Sequence, residues 1–290
     1  MKKFLIIVFY SFFLLLLGRQ LSFLPGISLP EKTDLKSFSL DEVRDSIKLL
    51  SSEFEGEYSV YYEDLKTSEA FGINHNSVMT AASLNKVPVI FYLYSLASKR
   101  EINLEEKITL LAEDVQDYGT GKLRYEEPGG VYTLKRLSEL AFQHSDNTAV
   151  HLLTIRLGED QIQSYVDSLG LSATSIAYNE TSPKDFGTLM SKFYNNELMS
   201  EALKNELLDY MSDTEFENRI PRNLKEAKVY HKIGDADNMV HDGGIIDPSA
   251  SSGQVNKSPF ILVVMTQGIV DENKAHENIG LVARTIFDSR

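Results

Sequence analysis

Apolar positions recur along this chain with two different periods, and the switches between them divide it into elements. Leu40, Val43, Ile47 and Leu50 fall at helical spacing behind Ser39-Leu40-Asp41-Glu42, a capping-box pattern, and predict a first amphipathic helix. Tyr58, Val60 and Tyr62 then alternate with Ser59, Tyr61 and Glu63, which predicts a half-buried strand. Asp64-Leu65-Lys66-Thr67 supplies turn chemistry before a second strand through Phe71. A hairpin therefore leads into Met79 to Phe91, an apolar, helix-compatible stretch in which a serine, Ser83, and a lysine, Lys86, are embedded. Pro88 cannot donate to the Leu84 carbonyl, so a bend is expected in this helix's second turn.

Helical periods dominate the middle of the chain. Tyr118-Gly119-Thr120-Gly121 through Pro128-Gly129-Gly130 reads as an exposed loop of the kind that borders a cleft. Thr133 caps a helix carrying Leu134, Leu137 and Leu140, and Ala149 to Leu157 forms another that stops at Gly158. Ser145-Asp146-Asn147 lies between the two. A further helix runs through Ile162, Tyr165 and Val166 to Leu169-Gly170, and Ser182-Pro183-Lys184-Asp185 opens one through Leu189 and Phe193. Strand character returns at Ala227 to Ile233, near Val240 to Ile246, and at Phe260 to Met265. A last helix places Ile279, Val282, Ala283, Ile286 and Phe287 on one stripe. This order predicts an α/β (α+β) fold: a sheet built from both chain ends, with an α-helical insertion over about 80–215.

Composition narrows the classes. A net charge of −13 and a pI near 5.0 argue against nucleic acid or an anionic membrane surface as the main partner, because both require clustered Lys and Arg. The absence of cysteine excludes disulfides, thiolate metal sites and lipid attachment through cysteine. Met1-Lys2-Lys3 followed by apolar Phe4 to Leu17 has the form of a secretory signal, although Gly18-Arg19-Gln20-Leu21-Ser22 offers no small-x-small cleavage site. Residues 1–22 are accordingly read as a signal peptide or N-terminal anchor, 23–38 as a linker containing Pro25, Gly26 and Pro30, and 39–290 as the folded domain. The expectation is an exported monomer, free or held at the outer face of the cytoplasmic membrane, touching membrane only through its N-terminal segment.

Ser83 and Lys86 are three residues apart, which on a helix start puts a nucleophile beside a possible base. Alone, that spacing is expected by chance about once in a chain of this size. His144, His231 and His241 adjoin interesting positions, but no His/His or His/Glu pair has metal-ligand spacing on one helix, so no metal or cofactor is expected. A His-Asp triad with Ser83 is unsupported while Lys86 offers a base.

The combination of Ser83-Leu84-Asn85-Lys86 with Ser145-Asp146-Asn147 and Lys232-Ile233-Gly234 is more specific. In order and spacing these resemble the three motifs of class A β-lactamases and the related penicillin-binding serine enzymes. The resemblance implies an antiparallel sheet with flanking helices packed against an α-helical lobe, and a site between them. Carried over, Ser83 is the acylated nucleophile and Lys86 the group that accepts or relays its proton, with burial and the nearby Lys232 both lowering the pKa of Lys86. Ser145 relays a proton, Asn147 and Lys232 bind substrate, Gly234 lets substrate lie close to the strand, and the Ser83 and Asp235 N–H groups form an oxyanion hole. Asp146 is read as structural. Tyr118 either lines the cleft or simply packs its ring.

Two departures stand out. The lysine-Thr-Gly motif reads Lys232-Ile233-Gly234, so a hydroxyl is missing, and Leu171 to Ser182 looks like a much shortened form of the family's glutamate-bearing Ω-loop. Glu180 is the only acid in that segment and the candidate for activating water there, beside its ordinary role at a helix N-terminus. The expected substrate is a small-molecule or peptide amide, a β-lactam or cell-wall peptide. A D-alanyl-D-alanine peptidase or other amide or ester hydrolase, and a non-catalytic envelope-tethered binding protein, are the alternatives.

Overall fold

The computed structural model describes residues 39–249 and 257–290, so the signal and linker readings of 1–38 lie outside the described residues. Helix α1 (Leu40–Ser52) starts where Ser39 accepts a bond from the Glu42 N–H at 3.4 Å. Strands β1 (Glu57–Asp64) and β2 (Ala70–Ile73) form the expected hairpin, closed by Asp64 accepting the Lys66 and Thr67 N–H groups at 2.8 and 2.9 Å. After β3 (Met79–Thr80), a short 3-10 turn over Ala82–Asn85 passes into α2 (Lys86–Ser98). Strands β4 (Lys107–Thr109) and β5 (Val131–Thr133) bracket the Gly-rich loop and pair with each other. Helices α3 (Leu134–Gln143), α4 (Asn147–Leu157) and α5 (Glu159–Ser168) follow, then β6 (Glu180–Thr181), α6 (Pro183–Tyr194) and α7 (Glu201–Tyr210). Strands β7 (Lys228–Ala236), β8 (Met239–Asp247) and β9 (Phe260–Gln267) and helix α8 (Glu272–Asp288) complete the chain.

The main sheet has the order β2-β1-β9-β8-β7 and is antiparallel throughout. Both chain ends supply it, as the element order predicts. β1 and β9 sit inside it, with Tyr61 opposite Val263 and Tyr62 opposite Leu262. The expectation of a half-buried β1 needs correcting. Tyr58 through Tyr62 are all buried, because an interior strand covered on both faces has no solvent side. Tyr61, Ile245, Ile261, Val263 and Met265 join the core shared with α6 and the helical lobe, while the pleat turns Val60, Tyr62, Leu262 and Val264 to the other face. There α8 buries Ile279, Val282, Ala283, Ile286 and Phe287, the stripe seen in the sequence, and Asn278 donates to the Tyr58 hydroxyl at 3.1 Å.

Helix α6 falls within the span read as a helical insertion, yet it packs on β9, β1 and β8, and Gly187 lets the Tyr61 ring lie against it. The other mid-chain helices surround α2, whose Val87, Ile90, Phe91 and Tyr94 are buried among them. That encasement explains why α2 carries apolar residues on all its sides, with Lys86 and Ser95 buried among them. The expected bend at Pro88 is not required. The α-helix begins at Lys86, so Pro88 stands in its first turn, where the missing N–H would have had no partner within the helix.

Candidate active site

Ser83 stands on the 3-10 turn, half-buried, and Lys86 is the first residue of α2. In 3-10 geometry residues three apart eclipse one another, which brings the two side chains to one face. Ala82, immediately before the serine, is held at φ +48. For an alanine this left-handed conformation costs about 1–3 kcal/mol and persists only where its surroundings enforce it. One enforcing contact comes from β7. A Cβ on Gly234 would lie 2.9 Å from the Ala81 carbonyl oxygen and 3.3 Å from the Leu84 nitrogen, so the strand presses on the Ser83 turn itself. Gly234 therefore makes room for this chain's own turn.

Beneath Ser83 lies a buried polar junction. The Lys86 ammonium donates to the Ser145 carbonyl, to Ser145 Oγ at 3.2 Å and to Asn147 Oδ1 at 2.6 Å. From the opposite side Lys232 donates to the same Ser145 Oγ at 2.8 Å and to the Ile233 carbonyl at 3.2 Å. Ser145 thus bridges the two lysines, and its own backbone is held left-handed at φ +50. Burial lowers the Lys86 pKa to about 7 against the opposing pull of Asp146. Lys232 is lowered too, by burial first and then by the positive charges of Lys86 and Arg219. Burial is thus the first cause of the lowering at both amines, as expected for Lys86, and their mutual repulsion acts in the same direction.

Asp146 builds the scaffold for this junction, in keeping with its structural reading. It caps α4 through the Ala149 N–H at 2.9 Å and accepts the Lys122 and Leu123 N–H groups at 2.6 and 2.8 Å. The cap starts α4 at Asn147, two residues earlier than its apolar pattern suggests, so Asn147 stands in the first helical turn. The Asn147 side-chain amide donates to the Tyr118 carbonyl at 3.0 Å. Gly119, at φ +66, is required there, since a Cβ would fall 2.5 Å from Asn147 Nδ2. Arg124 holds the same loop by donating to the Gly119 carbonyl at 2.6 Å and to that of Asp117. Tyr118 lines the cleft with 64% of its surface exposed, and so does not serve as core packing.

β7 forms the other wall, and its register fixes which backbone groups face the cleft. Val240 exchanges bonds with Thr266 Oγ1 on β9, donating at 2.9 Å and accepting at 2.7 Å. Asp235 is directly opposite Val240. Its N–H and carbonyl must therefore point away from β8, toward the free edge. The His231 N–H, four residues earlier in the same alternation, does point outward, to the Met211 carbonyl at 2.9 Å. Behind the strand, Arg219 is buried and donates to Asp235 Oδ2 at 2.5 Å. His231 lies between Asp242, at 2.7 Å, and Glu217, at 3.3 Å. Burial opposes charge on His231, but the two carboxylates outweigh it and raise the pKa to about 9. His241 instead donates to the Thr80 carbonyl at 2.9 Å and accepts the Thr266 N–H at 3.0 Å, tying the sheet to the segment before Ser83.

Together these walls enclose a cleft of about 990 Å³ lined by Ser83, Lys86, Asn147, Tyr118 and Asp235 among others. Ser145, Lys232 and Gly234 lie behind its surface. Glu180 does not line it. On β6 it sits directly opposite Thr80, whose side chain is exposed, while Met79 and Thr181 turn inward together. The short segment before it is a braced hairpin: Asp185 accepts the Ala173 N–H at 2.7 Å, Gln163 accepts the Ile176 N–H at 2.9 Å, and Asn85 donates to the Ser175 carbonyl at 2.9 Å. It offers the cleft Ile176 and Asn179. Two residues absent from the sequence reading also belong to the site. Arg219 had no motif around it, whereas His151 carried a findable signal, four residues after Asn147 on the same helical face. Among the described residues no group of three or more His, Cys, Asp or Glu is placed to hold a metal ion.

A family model described as the beta-lactamase enzyme family matches residues 42–289. Among solved structures, that of PBP-A is similar at 26% identity with a TM-score of 0.79, over 86% of this chain and 96% of that one. A mutant of PBP-A, recorded as an acyl-enzyme complex with penicillin-G, aligns with the same values. A beta-lactamase from Sphaerobacter thermophilus DSM 20745 shares the fold at 22% identity and a TM-score of 0.78, over 87% of this chain and 97% of that one.

Proposed function

Because the chain belongs to the beta-lactamase enzyme family, we propose that it is a serine hydrolase acylated at Ser83 by the amide of a β-lactam or of a related cell-wall peptide. The observation that carries this reading is the junction in which Ser145 Oγ receives both lysines, at 3.2 and 2.8 Å, directly behind the serine turn. Lys86, with a pKa of about 7, is half neutral at neutral pH and takes the Ser83 hydroxyl proton as Oγ attacks the carbonyl carbon. The developing oxyanion is held by the Ser83 N–H and by the Asp235 N–H at the free edge of β7. Ser145, bonded to both amines, passes the proton from Lys86 to the leaving nitrogen. Asn147 and Tyr118 orient the substrate across the cleft. The acyl-enzyme recorded for the PBP-A mutant with penicillin-G supports the same first step here.

Export follows from the charged and apolar start of the chain, with 1–22 directing it, 23–38 as tether and 39–290 as the catalytic unit. Among the described residues no helix is long and apolar enough to cross a membrane. A penicillin and a D-alanyl-D-alanine peptide, each incubated with the protein and with its Ser83→Ala variant, test the assignment by product analysis. Serine-dependent release of the penicilloate supports the β-lactamase reading, and release of D-alanine alone supports the peptidase. Neither product and no covalent adduct would leave a binding protein.

A further inference from the structure

Below Ser83 the cleft continues between α2 and α4, along the side covered by the short 171–182 segment. Lys86 and Val89 face it from α2, and Asn147, Val150, His151 and Thr154 face it from α4. The α4 positions follow the three-and-four spacing of one helical stripe, so His151 stands on the same face as Asn147, about 6 Å further along the axis. Asn147 is itself bonded to Lys86 at 2.6 Å, and Lys86 is one 3-10 turn from Ser83. The imidazole is therefore one helical turn from the group that anchors the proposed base. It is half-buried on the cleft wall.

Across from it, the 171–182 segment contributes an apolar chain, Ile176, and a neutral amide, Asn179. Glu180 is not among the residues that line the cleft. Among the described lining residues, the titratable groups on this side are Lys86 from α2, His151 from α4 and Glu159, exposed at the start of α5 beyond Gly158. Asp235, Asp237 and Glu272 line the β7 and α8 side. Lys86 donates to Ser145 and Asn147 and, in the acylation reading, serves Ser83.

We propose that His151 is the base that activates water for hydrolysis of the acyl-Ser83 ester, an inference that rests on the acylation reading above. A ring nitrogen of His151 takes one proton from water as the water oxygen bonds to the ester carbonyl carbon. The carbonyl electron pair moves onto oxygen, where the two N–H groups hold it. On collapse the bond from carbon to Ser83 Oγ breaks, the imidazolium returns its proton to Oγ, and a free acid departs. One water is consumed and the enzyme is restored.

Time-resolved intact mass spectrometry after mixing with a penicillin, with product quantified in parallel, reads acylation and adduct lifetime separately. His151→Gln is expected to acylate at the rate of the unchanged protein and to hold the adduct about 10²-fold longer or more, the usual cost of losing a general base. His151→Glu, which restores a base, and His151→Ala supplied with imidazole are expected to shorten that lifetime again. Thermal melting of each variant establishes that it is folded. An unchanged lifetime in His151→Gln would show that another group activates the water and overturn the proposal. A long lifetime that neither Glu nor imidazole shortens would make His151 a structural residue and overturn it equally. Neither adduct nor product from the unchanged protein would instead remove the acylation reading, and this inference with it.

Discussion

The pH dependence of acylation follows from the burial of Lys86. An ordinary lysine at pH 7 offers about one free amine in 3,000, whereas a pKa of about 7 makes about half of Lys86 available, a gain of about 1,500-fold in the basic form. The second-order rate of acylation reports the ionisation of the free enzyme. It is therefore expected to rise about tenfold per pH unit up to about 6, bend near 7, and level off above 8. Stopped-flow measurement with a chromogenic cephalosporin gives this profile directly. The same shift affects stability. The folded-state pKa lies below the unfolded one, so the unfolded chain binds the proton between about 10.5 and 7, and stability contributed by neutral Lys86 is lost as pH falls through that window. At 1.36 kcal/mol for each pKa step the loss from Lys86 alone is about 5 kcal/mol, and Lys232, lowered in the same direction, adds to it. A rate that keeps rising tenfold per unit to pH 9, or one that is flat from pH 5, would refute burial as the source of the base.

Other consequences are equally open to measurement. Gly234→Val, which forces side-chain atoms toward the Ala81 carbonyl already 2.9 Å from a Cβ, is expected to displace the Ser83 turn and lower the acylation rate about tenfold or more. Asp146→Ala removes the cap of α4 and the partner of two loop N–H groups, for a cost of about 3 kcal/mol and a fall in melting temperature of about 6–12 °C by calorimetry. Glu180→Gln is expected to leave both acylation and adduct lifetime within about twofold of the unchanged protein in the mass-spectrometric assay, because Glu180 does not line the cleft.

Much of the architecture is legible along the chain because local patterns and global contacts agree. The α8 stripe, the β1–β2 hairpin and the Ser182 start of α6 are written in short spacings, and each forms as spaced. β1 misleads because its alternation is of residue type only: Ser59 is 3% exposed, buried by packing that a single sequence cannot display. The site divides in the same way. Ser83, Lys86, Ser145, Asn147, Lys232 and Asp235 come from three segments that the motifs identify. What the motifs do not carry is position in depth. Gly234 touches the serine turn because β7 leans on it, Glu180 is paired with Thr80 across β6 and β3 and stays outside the cleft lining, and Arg219 reaches Asp235 from a segment without periodicity. His151 becomes visible only once Asp146 fixes where α4 begins, since that start decides which residues share the face of Asn147.

The central claim is that Ser83 is the nucleophile. Incubation with benzylpenicillin, acid quench, proteolysis and peptide mass mapping test it on the intact chain. The prediction is a single added penicilloyl mass on the peptide containing Ser83, absent from the Ser83→Ala protein. Penicilloyl mass on a different residue, or no adduct together with no hydrolysed penicillin, would contradict it.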